Sequence, residues 1–142
     1  MRHALQTMSL SSLQRRRLIA AARRAAKAAY APYSKFRVGA AVLTRAGKIH
    51  TGCNVENASY GLSNCAERTA IFKAVAEGEH RIVAVAVYTP TRKPTPPCGA
   101  CRQVIHEFGP KAAILCSCNS RLRIETTLDR LLPGGFGRKN LP

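Results

Sequence analysis

A chain of 142 residues, 46% apolar and 21% charged, is long enough to form one domain around a sizeable core. No run approaches the roughly 20 continuous apolar residues of a membrane span, and no charged stretch leads into a secretory apolar segment, which predicts a cytoplasmic protein. The 23 Lys and Arg against 7 Asp and Glu give a net charge of +16, which raises nucleic acid as a partner, although eight of the cations, from Arg2 to Lys35, fall in the first quarter and suit the solvated face of a first helix.

The opening is rich in Arg, Ala and Ser and holds no acid before Tyr30, a composition shared with mitochondrial transit peptides. Against that, the apolar positions from Leu13 run directly into the domain. Residues 1–10 are therefore read as a flexible tail, with Met1 and Met8 both possible starts, and residues 11–142 as a single domain. Leu13, Leu18, Ile19 and the alanines from Ala20 to Ala29 recur among Arg and Lys at helical spacing, which predicts the first helix. Residues 37–44 and 48–53 are β-rich runs joined by Arg45-Ala46-Gly47, a hairpin, and the polar residues 54–64 form a loop. Residues 65–77 return to helical spacing before Gly78, with Asn64 as the N-cap. The continuous apolar run at 81–89 predicts a strand covered on both faces. A Pro-rich loop leads to a short helix from Cys98 that ends near Gly109, then two strands at 112–118 and 122–127, and a last short helix. This order predicts a three-layer α/β/α sandwich on a mixed five-stranded sheet.

Six cysteines without a secretory leader favour metal or reactive thiols over disulfides. Cys98 and Cys101 form C-x-x-C in the first turn of a helix, on one face, where both sulfurs reach one ion. A thioredoxin-like redox motif would follow a first strand near the chain's start, and this pair sits late. Zinc needs further ligands: Cys116 and Cys118 would close a four-thiolate structural site, whereas Cys65 would give three thiolates and an open position. Cys65 and Glu67 lie about 200° apart in a helix interior and serve one site only where a helix begins. Helix N-termini at Cys65 and Cys98 stabilise thiolate. Arg68 is placed to donate to a ligand sulfur and offset part of the negative charge of a three-thiolate site. Glu67, a carboxylate beside the ligands, suits proton transfer.

C-x-E followed by P-C-x-x-C matches the signature of zinc nucleobase deaminases with three cysteine ligands. "FRVGAAV", "GCNVENASYG", "NCAERTA" and "PCGACRQVIHEFG", in that order, resemble the small cytidine deaminases that act on free nucleosides, over about Ala20 to Phe136. The resemblance implies one zinc per subunit on Cys65, Cys98 and Cys101, with Glu67 as general acid and base. It implies ribose contacts from Asn54 and Glu56, packing of Phe36 on the pyrimidine, and the backbone of Ala66 at the base edge. It also implies a homotetramer whose neighbouring subunits close each pocket, with Tyr60 and Phe136 among the contributors. The implied activity is hydrolytic deamination of cytidine and deoxycytidine to uridine and deoxyuridine with loss of ammonia, in pyrimidine salvage. Pro96 and Ser59 depart from the usual family residues. Cys116 and Cys118 have no family counterpart, and at alternate strand positions they read as buried, inert thiols on one face.

Two other readings compete. One is a zinc-stabilised nucleic-acid-binding module using Cys98, Cys101, Cys116 and Cys118, with the basic helix on phosphate; it has no use for Glu67. The other moves the deamination to a cytosine in RNA or DNA, or to a nucleoside-like antibiotic. Aromatics at 6% and the absence of Trp disfavour the polymer, and the Asn54–Glu56 pair disfavours an altered sugar.

Overall fold

The computed structural model describes residues 9–142. Helix α1 (Ser12–Ala25) begins at Ser11, whose hydroxyl accepts from the Gln14 amide at 3.1 Å while the Gln14 side chain accepts from the Ser11 amide at 3.0 Å, a reciprocal cap. A 3-10 turn, Ala26–Ala28, continues it. Strands β1 (Gly39–Thr44) and β2 (Ile49–Cys53) form the expected hairpin, with Gly47 at φ 87° making the turn. Then come α2 (Ala66–Ala76), β3 (Ile82–Tyr88), α3 (Gly99–Phe108), β4 (Ala113–Ser117), β5 (Ile124–Thr127) and α4 (Leu128–Leu131).

The five strands lie in the order β2-β1-β3-β4-β5; β3 and β4 are parallel, linked through α3, and the other pairs are antiparallel. Alternation along the central strands divides the core. Ala40 and Val42 of β1, Val85 and Val87 of β3, and Ile114 and Cys116 of β4 pack with Ala66, Ala70 and Ile71 of α2, Ile105 of α3 and Leu128 of α4. The intervening residues, Ala41, Leu43, Ala84, Ala86 and Leu115, pack with Leu18, Ala21 and Ala22 of α1. The sheet is thus covered on both faces, as the apolar run at 81–89 predicts.

The helices sit close because small residues let them. A side-chain carbon built on Gly52 would lie 2.4 Å from the Ala70 nitrogen and 2.8 Å from the Ala66 carbonyl oxygen, so α2 is seated directly on the β2 backbone. On the other face, one on Gly39 would lie 1.9 Å from the Ala22 carbonyl oxygen of α1.

Three expectations need correction. The tail boundary at residue 10 falls inside packed structure: Leu10 is 5% exposed and belongs to the α1-side core, while residues 1–8 of that tail, with both candidate starts, lie outside the described residues. Asn64 does not cap α2. Cys65 occupies the cap position with extended backbone, and the Asn64 amide instead donates to Thr69 Oγ1 at 3.1 Å. Cys116 and Cys118 do not share a strand face, because β4 ends at Ser117; Cys116 is in the core, whereas Cys118 lies 3.4 Å from the Arg92 carbonyl and 3.2 Å from Ser120 Oγ in the following loop. No helix of the described residues is long and apolar enough to cross a membrane.

Candidate metal centre and pocket

Two helices start side by side past the carboxyl end of β3, and each has a cysteine at its N-cap. Cys65 caps α2 with φ −76° and ψ 155°; Cys98 caps α3 with φ −64° and ψ 167°. Neither sulfur is used in capping, so both project from the helix ends. Extended backbone at the cap removes the 200° divergence of the helix interior, which is how Cys65 and Glu67 come to serve one place. Cys101, two residues into α3 from Gly99, brings the third sulfur.

The sulfurs of Cys65, Cys98 and Cys101 all lie within 4.8 Å of one another, with 3.9 Å between Cys65 and Cys98. Zinc at about 2.3 Å from tetrahedral thiolates sets its sulfurs about 3.8 Å apart, so the donors present fit that ion. It is the only such group of possible ligands among the described residues, and Cys116 and Cys118 are not part of it. The four-thiolate alternative is thereby set aside.

Charge concentrates on Cys65. Hydrogen bonding from the Cys101 thiol, aided by the Arg68 guanidinium, pulls Cys65 down to about 5, against the opposing effect of burial. Arg68 Nη2 donates to Cys65 Sγ at 3.1 Å, the contact expected from sequence. Cys101 shifts the other way, raised by its closeness to the Cys65 sulfur, by burial and by a nearby carboxylate. That carboxylate is Glu67, 5% exposed, whose Oε2 accepts from Cys101 Sγ at 3.3 Å. Burial raises Glu67 above the usual carboxylate range.

Cys65, Glu67 and Cys98 line a pocket of about 300 Å³, a volume suited to a small ligand, with Cys101 and Arg68 behind them. Ala66, Glu67, Cys65 and Cys98 lie at its base, Val38, Val87 and Pro96 supply apolar wall, and Phe36, Asn54 and Glu56 stand on its lining. The Asn54 amide is committed to the backbone: Oδ1 accepts from the Val38 amide at 2.8 Å and Nδ2 donates to the Phe36 carbonyl at 2.7 Å. Asn54 therefore shapes the segment that presents Phe36, with one N–H left for a ligand. Glu56 Oε1 accepts from the amides of Tyr33 and Ser34 at 3.0 and 3.1 Å. Bonding from Ser34 keeps Glu56 below the ordinary carboxylate value.

The other two expected contributors lie off this pocket within the chain. Tyr60, 74% exposed, lines an adjoining recess with Tyr33, Ser34, Glu56 and Ser63. Phe136 is exposed, and its carbonyl accepts from Gln103 Nε2 at 2.9 Å. Sequence reading missed Arg102, whose Nε donates to the Pro97 carbonyl at 2.8 Å and Nη1 to the Leu131 carbonyl at 3.0 Å, tying the residue before Cys98 to the end of α4. Its place directly after C-x-x-C was the available signal. Thr89 and Thr95, which also line the pocket, are 3.5 Å apart through their hydroxyls and gave none.

Comparison with known proteins agrees with this geometry. A family model described as the cytidine and deoxycytidylate deaminase zinc-binding region matches residues 12–117. The cytidine deaminase of Halalkalibacterium halodurans is 49% identical over 130 residues, covering 91% of this chain and 98% of the relative. That of Sporosarcina psychrophila is 50% identical over 127 residues, covering 88% and 93%. The crystal structure of cytidine deaminase from Burkholderia pseudomallei superposes with a TM-score of 0.83 at 48% identity, covering 89% of this chain and 100% of that one.

Proposed function

Since the chain belongs to the zinc-binding cytidine and deoxycytidylate deaminase family, we propose that it deaminates cytidine and deoxycytidine hydrolytically to uridine and deoxyuridine, releasing ammonia, in pyrimidine salvage. The observation that carries this reading is a buried carboxylate, Glu67, in contact with a three-thiolate cluster at the floor of a nucleoside-sized pocket.

Cys65, Cys98 and Cys101 would hold the zinc, which when bound supplies Lewis-acid activation of the attacking water. Glu67 moves the protons. Burial holds its pKa above the ordinary carboxylate value, which favours the protonated form it must pass through in returning a proton. It takes a proton from the water that attacks the amino-bearing ring carbon, protonates the adjacent ring nitrogen, and a proton reaches the amine before ammonia leaves. Arg68, hydrogen-bonded to Cys65, draws negative charge away from the cluster. Phe36 packs against the pyrimidine ring. The backbone of Ala66, at the base of the pocket, meets the base edge, and Asn54 and Glu56 take the ribose hydroxyls. Glu56 has one carboxylate oxygen held by backbone amides, which fixes the other for a sugar.

The same reading carries a homotetramer, in which Tyr60 and Phe136 reach a neighbouring pocket, and a cytoplasmic location. Exposed Tyr60, Leu62 and Phe136 support the assembly, since each is a large apolar side chain left uncovered in the single chain.

The test follows cytidine absorbance with zinc content measured beside it. Glu67→Gln is expected to keep about one zinc per chain and lose turnover by roughly 100-fold or more. Cys65→Ala is expected to lose both. Full turnover by Glu67→Gln, or none by folded, zinc-loaded wild type on either nucleoside, overturns the proposal.

A further inference from the structure

A neutral nucleoside gives the +16 charge no role, and although the 23 Lys and Arg are spread along the chain, four of them make one row on α1 and its continuation. α1 turns Leu18, Ala21 and Ala22 into the core. At about 100° per residue, Arg16, Arg17 and Arg24 fall within an arc of about 100° on the side of α1 turned away from Leu18 and Ala22, and Lys27, in the 3-10 turn that continues the helix, extends the row, so that the four span roughly 16 Å. All four are exposed, and none has an ion-pair partner among the described residues.

The helix under them is fixed by its remaining arginines. Arg15 donates to Glu125 at 2.6 Å and to the Leu10 carbonyl at 2.6 Å, and Arg23 lies 5.3 Å over the Tyr88 ring. The other six acids of the chain belong to the β2–α2 loop, to α2 and the turn after it, to α3 and to α4. Glu125, already taken by Arg15, is therefore the acid that pairs with α1.

We propose that the outer face of α1 is a binding surface for the phosphate backbone of nucleic acid. Duplex DNA carries one charge per about 1.7 Å, so four exposed cations spaced over about 16 Å of an anchored helix meet a dense row of phosphates. The face is a convex helix surface without a groove, so it reads the backbone and no base sequence, and DNA and RNA offer it the same chemistry. An anionic membrane surface fits less well, since the apolar side of α1 is buried in the core and has none left to insert. This surface lies across the sheet from the pocket, so it acts independently of the proposed deamination.

The test uses the full chain loaded with zinc and measures anisotropy of labelled duplex DNA and of single-stranded RNA, about 20 nucleotides long, between about 50 and 200 mM salt. Four phosphate contacts give a duplex log–log salt slope near −3.6, an affinity loss of about 150-fold over that range, and a slope nearer −2.8 for the single strand. Replacing Arg16, Arg17, Arg24 and Lys27 together by Gln is expected to remove that slope while cytidine turnover and Tm stay as in wild type. The pairs Arg16→Gln with Arg17→Gln, and Arg24→Gln with Lys27→Gln, each remove about half of it and serve if the fourfold variant does not fold. A control that neutralises the exposed Arg92, Lys93, Arg121 and Arg123 is expected to keep most of the binding. No binding at the lowest salt, equal loss in the control, or binding to phosphatidylserine vesicles through the same residues as tight as to DNA overturns the proposal.

Discussion

Gly52→Ala tests how firmly the site depends on the seating of α2. The added carbon would lie 2.4 Å from the Ala70 nitrogen, whereas ordinary contact begins at 3.4 Å, so α2 must retreat by about 1 Å or β2 must bend. Overpacking of this kind costs about 1–3 kcal/mol, a Tm drop of roughly 3–12 °C for a chain of this size. Stability is only part of the effect. The displaced stretch, Ala66 to Ala70, is continuous with Cys65 and includes Glu67 and Arg68, and a 1 Å misplacement of catalytic groups costs about 100-fold in rate. The control is Leu18→Ala, which opens a cavity on the α1 side of the sheet and costs about 2–5 kcal/mol without touching α2. Steady-state kinetics well below each Tm, with zinc content measured in parallel, should show kcat/KM down about 100-fold for Gly52→Ala and within a few fold of wild type for Leu18→Ala. Equal losses in the two variants, or an undiminished kcat/KM in Gly52→Ala, would refute the claim that strand-to-helix contact positions the site.

Arg102→Met removes the donors that hold the Pro97 and Leu131 carbonyls, and weaker support of Cys98 should lower zinc affinity about 10- to 100-fold, read by competition with a chromophoric chelator. Asn54→Ala should cost about 1–3 kcal/mol by chemical denaturation, since it leaves the Val38 amide and Phe36 carbonyl without their partner, and should raise KM as well. Glu56→Gln should raise KM with little change in stability, and because the Glu56 carboxyl is held below 4.5, wild-type KM should stay flat as pH moves through neutrality. Cys116 is pushed up to about 12, chiefly by burial. Its folded pKa lies above the unfolded 9.0, so the stability it contributes is complete below pH 9 and lost as pH rises toward 12, by about 1.4 kcal/mol per unit. Urea denaturation of wild type against Cys116→Ala above about pH 9 should show that difference in slope.

The architecture and most of the site were legible because they rest on short-range patterns. The uninterrupted apolar run at 81–89 implied cover on both faces, and cores on both sides of β3 follow from it. Cys98 and Cys101 were readable as a pair since their spacing fixes them in one helical turn. Cys65 was harder, being 33 positions away; the need for a third ligand and a helix start pointed to it, and the C-x-E … P-C-x-x-C signature joined the two stretches. The cap itself was misassigned: Asn is the better intrinsic cap, but the Asn64 backbone is paired with Val55, which moves the cap one residue on to Cys65. Arg102 and Asn54 show the harder limit. Their partners are main-chain carbonyls and amides 5 to 29 positions distant, and a backbone group has no sequence signature.

That shift of one residue is what makes the site chemically workable. With Asn64 as cap, Cys65 would sit inside the helix and its sulfur would point about 200° away from Glu67. At the cap, with extended backbone, Cys65 leaves the helical path and its sulfur comes within 3.9 Å of Cys98, a second cap residue of the same kind. Both helices then direct unpaired amide ends and the positive end of their dipoles at the same cluster, and the Cys65 thiol is held below its ordinary value there. Arg68 adds a full charge at 3.1 Å. The negative charge this stabilises lies on sulfur, beside Glu67, whose pKa burial raises above the ordinary carboxylate value. A carboxyl in that state, beside a cluster able to hold a cation, is prepared to pass protons in both directions.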